Sequence, residues 1–257
     1  MTWNDFKGQA KRIDDIDLPK IGQQIGVSED EIHAIIDVEA AGSGFDSQGR
    51  PRILFERHWF YRNLSGAKRT EAQKAGLAVS KWSRATYNQD QYELLERAMK
   101  IDETAALKSA SWGMGQVMGF NHKVAGFDTV QDMVRAFMDD EETHLQAMLN
   151  FIIGNNLDDE LRRHDWAGFA KGYNGPGYKQ NKYDAKLAAS FAKWSRIRDT
   201  PYPPTNAAPQ PPKQETAPIE AGKRDNKLAI GFVITALLAS AATFGEKFIE
   251  MIKGVFS

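Results

Sequence analysis

A carboxylic acid protonates a leaving group near neutral pH only where its charged form is disfavoured. The stretch DVEAAGSGF, residues 37–45, holds a candidate for such a group. Ile32, Ile35, Ile36 and Glu39 fall at i, i+3, i+4 and i+7, so on a helix Glu39 shares an apolar, inward-facing stripe. It also falls in the expected last turn, where the helix dipole disfavours negative charge. Burial and dipole act in the same direction, so the spacing predicts a raised carboxyl pKa. That is the state a general acid for glycosidic cleavage requires. The purely structural alternative is a helix-end glutamate bonded to the glycine-rich loop or paired with Arg50 or Arg52.

Two other segments carry polar groups in apolar company. In SWGMGQVMGFN, residues 111–121, glycines alternate with a tryptophan, Met114, a second methionine and Gln116. Closely spaced glycines allow backbone to approach a ligand, and Gln116 offers both a donor and an acceptor. In FAKGYNGPGY, residues 169–178, Tyr173 and Asn174 precede a Gly-Pro-Gly turn, where such residues also serve simply to hold loops. Glu56 is the leading second carboxylate, to activate water or steady a cation. Asp46 on a turn is its competitor, and Arg57 or His58 would make Glu56 a surface ion pair instead. His33 reads as a solvated pair with Asp37, one turn away. His58, His122, His144 and His164 lack metal-ligand spacing, and neither a metal nor an organic cofactor is expected. Lys171, Lys179, Lys182 and Lys186 cluster near the Tyr-Asn pair, as a solvated face or as an attractant for anionic polymer.

The elements that must position these groups are mainly helical. SEDE, Ser28 to Glu31, is a capping-box pattern that opens a helix running to about Ala41. Residues 43–60 break the helical period with a turn at Asp46–Gly49. A short strand or hairpin follows, with Ile53 and Phe55 on one face and Leu54 and Glu56 on the other. Helices are expected over Asp90–Lys100, Glu103–Ser109, Thr129–Gly154, Asp158–Arg163, Trp166–Lys171 and Gln180–Ile197. No internal repeat is present. The fold class is α+β, mainly helical with one small β excursion.

Composition bounds the rest. The chain has 257 residues, a net charge of −1 and no cysteine, which excludes disulfides and gives no electrostatic footprint for nucleic acid. The polar start MTWNDFKGQAKRIDDIDLPK has no apolar h-region, so no secretory signal is expected there. Seven of the ten prolines lie in residues 200–226, which read as an extended linker. Residues 228–245, LAIGFVITALLASAATFG, carry no charge, and as a helix they would cover roughly 27 Å of a ~30 Å hydrocarbon core. The division expected is therefore 1–199 globular, 200–226 linker, and 227–257 transmembrane helix with a short tail.

VEAAGSGF, ILFERHWF, SASWGMGQVMGFN and FAKGYNGPGYKQNKYDAKLA, in this order, resemble the N-acetylmuramidase family of phage and prophage endolysins. That family belongs to the lysozyme-like superfamily, with lytic transglycosylases and goose-type lysozymes. The resemblance covers roughly residues 20–195 and leaves the linker and apolar tail outside. It implies a lysozyme-like domain that cleaves peptidoglycan glycan strands between N-acetylmuramic acid and N-acetylglucosamine. By the same resemblance Glu39 is the catalytic acid, with Glu56 the second carboxylate on offer. Gln116 and Met114 would line the sugar groove, and Tyr173 and Asn174 would bind an N-acetyl group and orient the acid. Met114 takes the place of the leucine in the transglycosylase Gly-Leu-Met-Gln motif, and Gly115 that of its methionine, so contacts there depart from the pattern. The family's more usual peptidoglycan-binding domain is not found in the sequence. Two further readings stay open, a lytic transglycosylase using the same acid and a non-catalytic, membrane-anchored glycan-binding scaffold. The expected setting is the bacterial inner membrane with one C-terminal span. The catalytic domain either waits inside for a holin or is carried out and tethered by export information in that helix. The alternative for 228–245 is a soluble helix packed in an oligomer.

Overall fold

The SEDE stretch opens a helix as its residue order predicts. The Ser28 amide donates to the Glu31 carboxylate at 2.9 Å, and the Asp30 amide donates to Ser28 Oγ at 3.2 Å. A computed structural model describes residues 3–39, 43–175 and 177–202. The N-terminal part holds α1 (Asp17–Gln23) and α2 (Glu29–Glu39), then β1 (Ile53–Phe55), α3 (Arg57–Asn63) and α4 (Gly66–Lys74). The middle comprises α5 (Gln91–Met99), α6 (Glu103–Lys108), β2 (Ala110–Trp112) and β3 (Val117–Met118). The last helices are α7 (Val130–Asp139), α8 (Glu141–Gly154), α9 (Asp158–Arg162), α10 (Trp166–Asn174) and α11 (Tyr183–Trp194). The architecture is mainly helical with one small antiparallel sheet in the order β1-β2-β3.

On α2, Ile32 and Ile35 are buried in the core and Glu39 is wholly buried beneath them. The opposite side of the helix is clamped to α11. Asp37 accepts hydrogen bonds from Ser190 Oγ (2.7 Å), Trp194 Nε1 (2.8 Å) and Lys193 Nζ (3.2 Å). Partial burial opposes charge on Asp37, but those donors outweigh it and hold the carboxyl below its ordinary range. The expected His33–Asp37 pair does not form. His33 stacks on Trp194 with ring centroids 3.7 Å apart, because α11 supplies Asp37 with better donors.

The expected excursion at 43–60 is half right. Its turn closes through Asp46 N–H to Arg50 O (2.8 Å) and Gly49 N–H to Asp46 O (3.2 Å), and Phe45 bridges to Pro51. The strand stops at Phe55, however, and Glu56 is the residue before α3, so RHWFYRN is a helix. Leu54 and Phe55 are both buried, so both faces of this strand are covered. The partner strand was hidden in the glycine-rich segment. Ile53 lies opposite Trp112 and Phe55 opposite Ala110, while Ser111 faces Met118 across the turn of a second hairpin.

Two of those glycines admit close packing by the protein itself. A Cβ at Gly115 would stand 2.2 Å from Met148 Cγ, and one at Gly119 would stand 2.1 Å from the Leu107 carbonyl oxygen. That carbonyl is already fixed by Trp112 Nε1–H, 3.0 Å away. The single helix expected over Thr129–Gly154 is broken at Asp140, whose extended backbone (φ −151°, ψ 130°) caps α8 by accepting from Glu142 N–H at 2.8 Å. Lys11 pairs with Asp140 at the same point, so the N-terminal strap occupies the break. Helices α1, α3 and α4 were missed. At the other end, Thr200 N–H donates to Glu29 Oε1 (2.7 Å) and fastens the described chain back to α2. The expected linker beyond residue 202 and the apolar run 228–245 lie outside the described residues. Among the described residues no helix is long and apolar enough to cross a membrane.

Close packing at the second hairpin sets a measurable contrast. Gly119→Ala meets a carbonyl that is pinned by Trp112 and is expected to cost about 3 kcal/mol in urea unfolding, whereas Gly115→Ala meets a movable methionine and is expected to cost about 1 kcal/mol. Equal losses would mean that the pinned carbonyl is not what demands a glycine at 119.

Candidate active site

Two helix C-termini meet at one carboxyl group. Glu39 is the last residue of α2 and Asn174 the last residue of α10, and Asn174 Nδ2 donates to Glu39 Oε1 at 2.8 Å. The chain leaves α10 through Gly175 at φ 76°, a backbone that glycine adopts without strain. Neither Arg50 nor Arg52 reaches Glu39. Arg50 bonds Asp46, and Arg52 Nε bonds the Phe45 carbonyl. Among the described residues Glu39 Oε2 and Asn174 Oδ1 are buried without a hydrogen-bond partner. An unsatisfied pair of buried acceptors beside one donor is costly for a folded protein, and such groups concentrate at sites of function.

The electrostatics follow from that geometry. Desolvation pushes the Glu39 pKa up from 4.5 to about 7, against the Asn174 hydrogen bond and the positive charge of Lys186, which both favour the carboxylate. The C-terminal dipoles of α2 and α10 add negative potential at the same point. Tyr173 is buried, packed on Phe169 and edge-on to Phe151, and burial together with the Glu39 charge raises its pKa. Tyr183 on α11 is held up to about 12 by burial and then by Glu39. Three of the site residues expected from sequence, Glu39, Tyr173 and Asn174, are thus together. Tyr183 joins them unforeseen, and Lys186, expected as part of a solvated face or an attractant for anionic polymer, bears on the acid. The spacing Tyr183-x-x-Lys186, directly after the Tyr-Asn segment, was the available signal.

The other expected residues bond to groups outside this cluster. Gln116 spends its amide inside the second hairpin. Its Nε2 donates to Gly113 O (2.9 Å) and Arg52 O (3.2 Å), and its Oε1 accepts from Ser111 Oγ (2.8 Å). Its backbone sits at φ 47°, an unusual conformation that this triple bond sustains. Met114 is buried in the core. Asp46 is tied up by its own turn and by Arg50 (2.8 Å). Glu56 is buried, with Oε1 accepting from Tyr87 Oη at 2.7 Å and Oε2 3.1 Å from His58 Nδ1, so the pair with His58 is an interior one.

Sequence reasoning passed over α8. Glu141 is buried and accepts from Arg12 Nη1 (2.7 Å), Ile13 N–H (3.2 Å), Ser43 Oγ (2.9 Å) and Gly44 N–H (2.7 Å). One turn on, His144 takes the Met114 N–H at 3.3 Å and bonds the Phe137 carbonyl at 2.7 Å. Burial pulls the His144 pKa down to about 4, which keeps its ring neutral and able to accept. Together they join the chain after Glu39 to the second hairpin. The only sequence trace was the acidic run Asp139–Glu142 interrupting a helical pattern.

This arrangement has known counterparts. The profile of the N-acetylmuramidase family matches residues 28–195, which span both helix ends and the hairpin. The crystal structure of the Burkholderia AP3 phage endolysin is similar at 35% sequence identity and a TM-score of 0.66, covering 72% of this chain and 73% of that one. No curated protein sequence matches the chain.

Burial of Glu39 makes stability depend on pH with a definite sign. Because its folded pKa of about 7 lies above the ordinary 4.5, its contribution is complete below pH 4.5 and is lost as the pH rises to about 7. Glu39→Gln is therefore expected to be more stable than wild type at pH 8 by on the order of 3 kcal/mol, with the difference vanishing below the unfolded pKa. Denaturant unfolding at both pH values measures it, and a pH-independent difference would contradict the raised pKa.

Proposed function

Because this chain belongs to the N-acetylmuramidase family and is a peptidoglycan hydrolase of the lysozyme type, we propose that Glu39 is its general acid. The carrying observation is the wholly buried Glu39 carboxyl, with one oxygen bonded to Asn174 and the other unpartnered among the described residues. Below a pH of about 7 this group holds a proton to donate. Transfer to the glycosidic oxygen between N-acetylmuramic acid and N-acetylglucosamine lets the C–O bond break, and the sugar becomes oxocarbenium-like. The carboxylate left behind, between two helix C-termini, then faces that cation with negative potential. Addition of water at the anomeric carbon, with its proton passing to the Glu39 carboxylate directly or through solvent, leaves a new reducing end and restores the acid. Asn174 orients the acid by its single hydrogen bond, and Tyr173 packs behind it.

A second reading has one observation in its favour. Among the described residues no other carboxylate hydrogen-bonds within this cluster, and Glu56 is engaged by Tyr87 and His58. A transglycosylase route needs no second carboxylate, since the sugar's own hydroxyl closes onto the anomeric carbon. Mass spectrometry of released wall fragments separates a reducing end from an anhydro sugar.

Glu39→Gln is expected to lower fragment release by at least about a thousandfold, and wild-type turnover should fall tenfold per unit above pH ~7. Asn174→Ala removes a bond that favours the carboxylate, so the residual activity should show its basic limb moved to higher pH. A limb that moves down, or a Glu39→Gln protein with full activity, would sink the assignment.

The reading includes a tether. An uncharged run at 228–245, behind a proline-rich stretch, supports anchoring of unit 1–199 at the bacterial inner membrane, with a holin admitting it to the wall. Protease added to intact spheroplasts should leave that unit uncut until a holin opens the membrane. Extraction of the full chain without detergent would overturn the anchor.

A further inference from the structure

Residues 75–90 join α4 to α5 without a helix or strand, a connection longer than the roughly 12–15 residues beyond which loops are usually functional. The loop is held at several points. Val79 N–H donates to Arg57 O (3.3 Å), Tyr87 N–H to Arg84 O (3.1 Å), and Gln91 Nε2 to Thr86 O (2.9 Å). Between these points Trp82 stands 39% exposed, the one aromatic among the large apolar side chains left open to solvent in the described residues. It is also fixed. Trp82 Nε1 donates to Tyr87 Oη at 3.0 Å, and that hydroxyl donates to Glu56 Oε1 at 2.7 Å. The buried Glu56 is braced from its other oxygen by His58 Nδ1, 3.1 Å away. The Arg84 guanidinium lies over the indole, 5.3 Å from the ring centroid.

A buried carboxylate that ends by orienting an exposed indole is an expensive arrangement for a surface with nothing to bind. An aromatic ring held in advance loses little further entropy on meeting a ligand. The apolar face of a hexopyranose, with its axial C–H groups, suits such a ring. The position is also apt. Strand β1 joins the loop to the chain after the acid. Arg52 N–H bonds Gly44 O (2.7 Å) before the strand, and Phe55 N–H bonds Gln91 Oε1 (3.0 Å) at its end. Charge agrees as well, since residues 75–90 contain Lys81 and Arg84 against a single acid, Asp90, which caps α5, whereas wall glycan carries carboxylates on its peptides or on its lactyl groups.

We propose that Trp82, aimed by Tyr87 and Glu56, is a stacking platform for a distal hexosamine of the glycan strand, with Arg84 meeting that strand's carboxylate substituents. The proposal rests on the muramidase reading and gives Glu56 a positioning task in place of the second-carboxylate role expected from sequence.

The test uses the full chain on soluble, peptide-bearing glycan strands. Trp82→Ala is expected to raise KM about tenfold with kcat within twofold, and Trp82→Phe to recover most of that loss. Tyr87→Phe, which releases the indole from Glu56, should raise KM by a smaller factor. Arg84→Ala should weaken binding to peptide-bearing strands more than to strands whose carboxylates have been amidated. Unchanged KM in Trp82→Ala, or a Trp82→Phe protein no better than Trp82→Ala, would overturn the platform. Thermal melts of Trp82→Ala should match wild type, because the side chain is exposed, and a large loss of Tm would assign it to folding instead. The acid assignment is read separately. If Glu39→Gln turns over normally the general acid fails, while the change in KM still decides the platform.

Discussion

One carboxyl group in an apolar place constrains much of this molecule. Ionised and alone, Glu39 would be too costly to bury, and with several donors it would be a permanent carboxylate. A single donor from Asn174 and a distant ammonium from Lys186 leave it near the balance point. That balance requires α2 and α10 to end at the same spot, although residues 39 and 174 lie far apart in the chain. The clamp of Asp37 on Ser190, Lys193 and Trp194 supplies the registration, because it locks α2 against the helix that follows the Tyr-Asn segment. The buried carboxyl and the packing clamp therefore use opposite faces of one helix.

The second organising post is α8. Glu141 gathers the N-terminal strap and the chain after Glu39, while His144 reaches into the second hairpin. Glycine is what makes this convergence feasible. Gly44 lies so near His144 that a Cβ would come within 2.2 Å of Nδ1, and Gly113 combines φ 67° with the same ring at 2.8 Å. The glycine-rich segment is thus a device for bringing a sheet, a helix and the loop after the acid into contact.

Three of the five buried glutamates among the described residues differ in how their oxygens are satisfied. Glu141 accepts four bonds and serves as a fastener. Glu56 has a partner on each oxygen and steadies Tyr87. Glu39 has one bonded and one unpartnered oxygen among the described residues, as Glu29 does, but Glu39 is wholly buried and its pKa is raised to about 7.

The local order of residues was enough to place α2, its capping box and the inward aspect of Glu39, because helical periodicity is a short-range property and the apolar stripe extends over two turns. It was also enough to mark Tyr173 and Asn174 and to expect a mainly helical α+β chain. Strand β2 and the α3 helix escaped it, since RHWFYRN and ASW owe their states to partners far along the chain. The same holds for Glu141, an acid in an acidic run that becomes a buried fastener only when residues 12–13 and 43–44 arrive around it. Periodicity could say that Glu39 points inward. Only the tertiary structure could decide which donor it meets there, because the strength of a buried acid depends on neighbours that sequence spacing does not bring together.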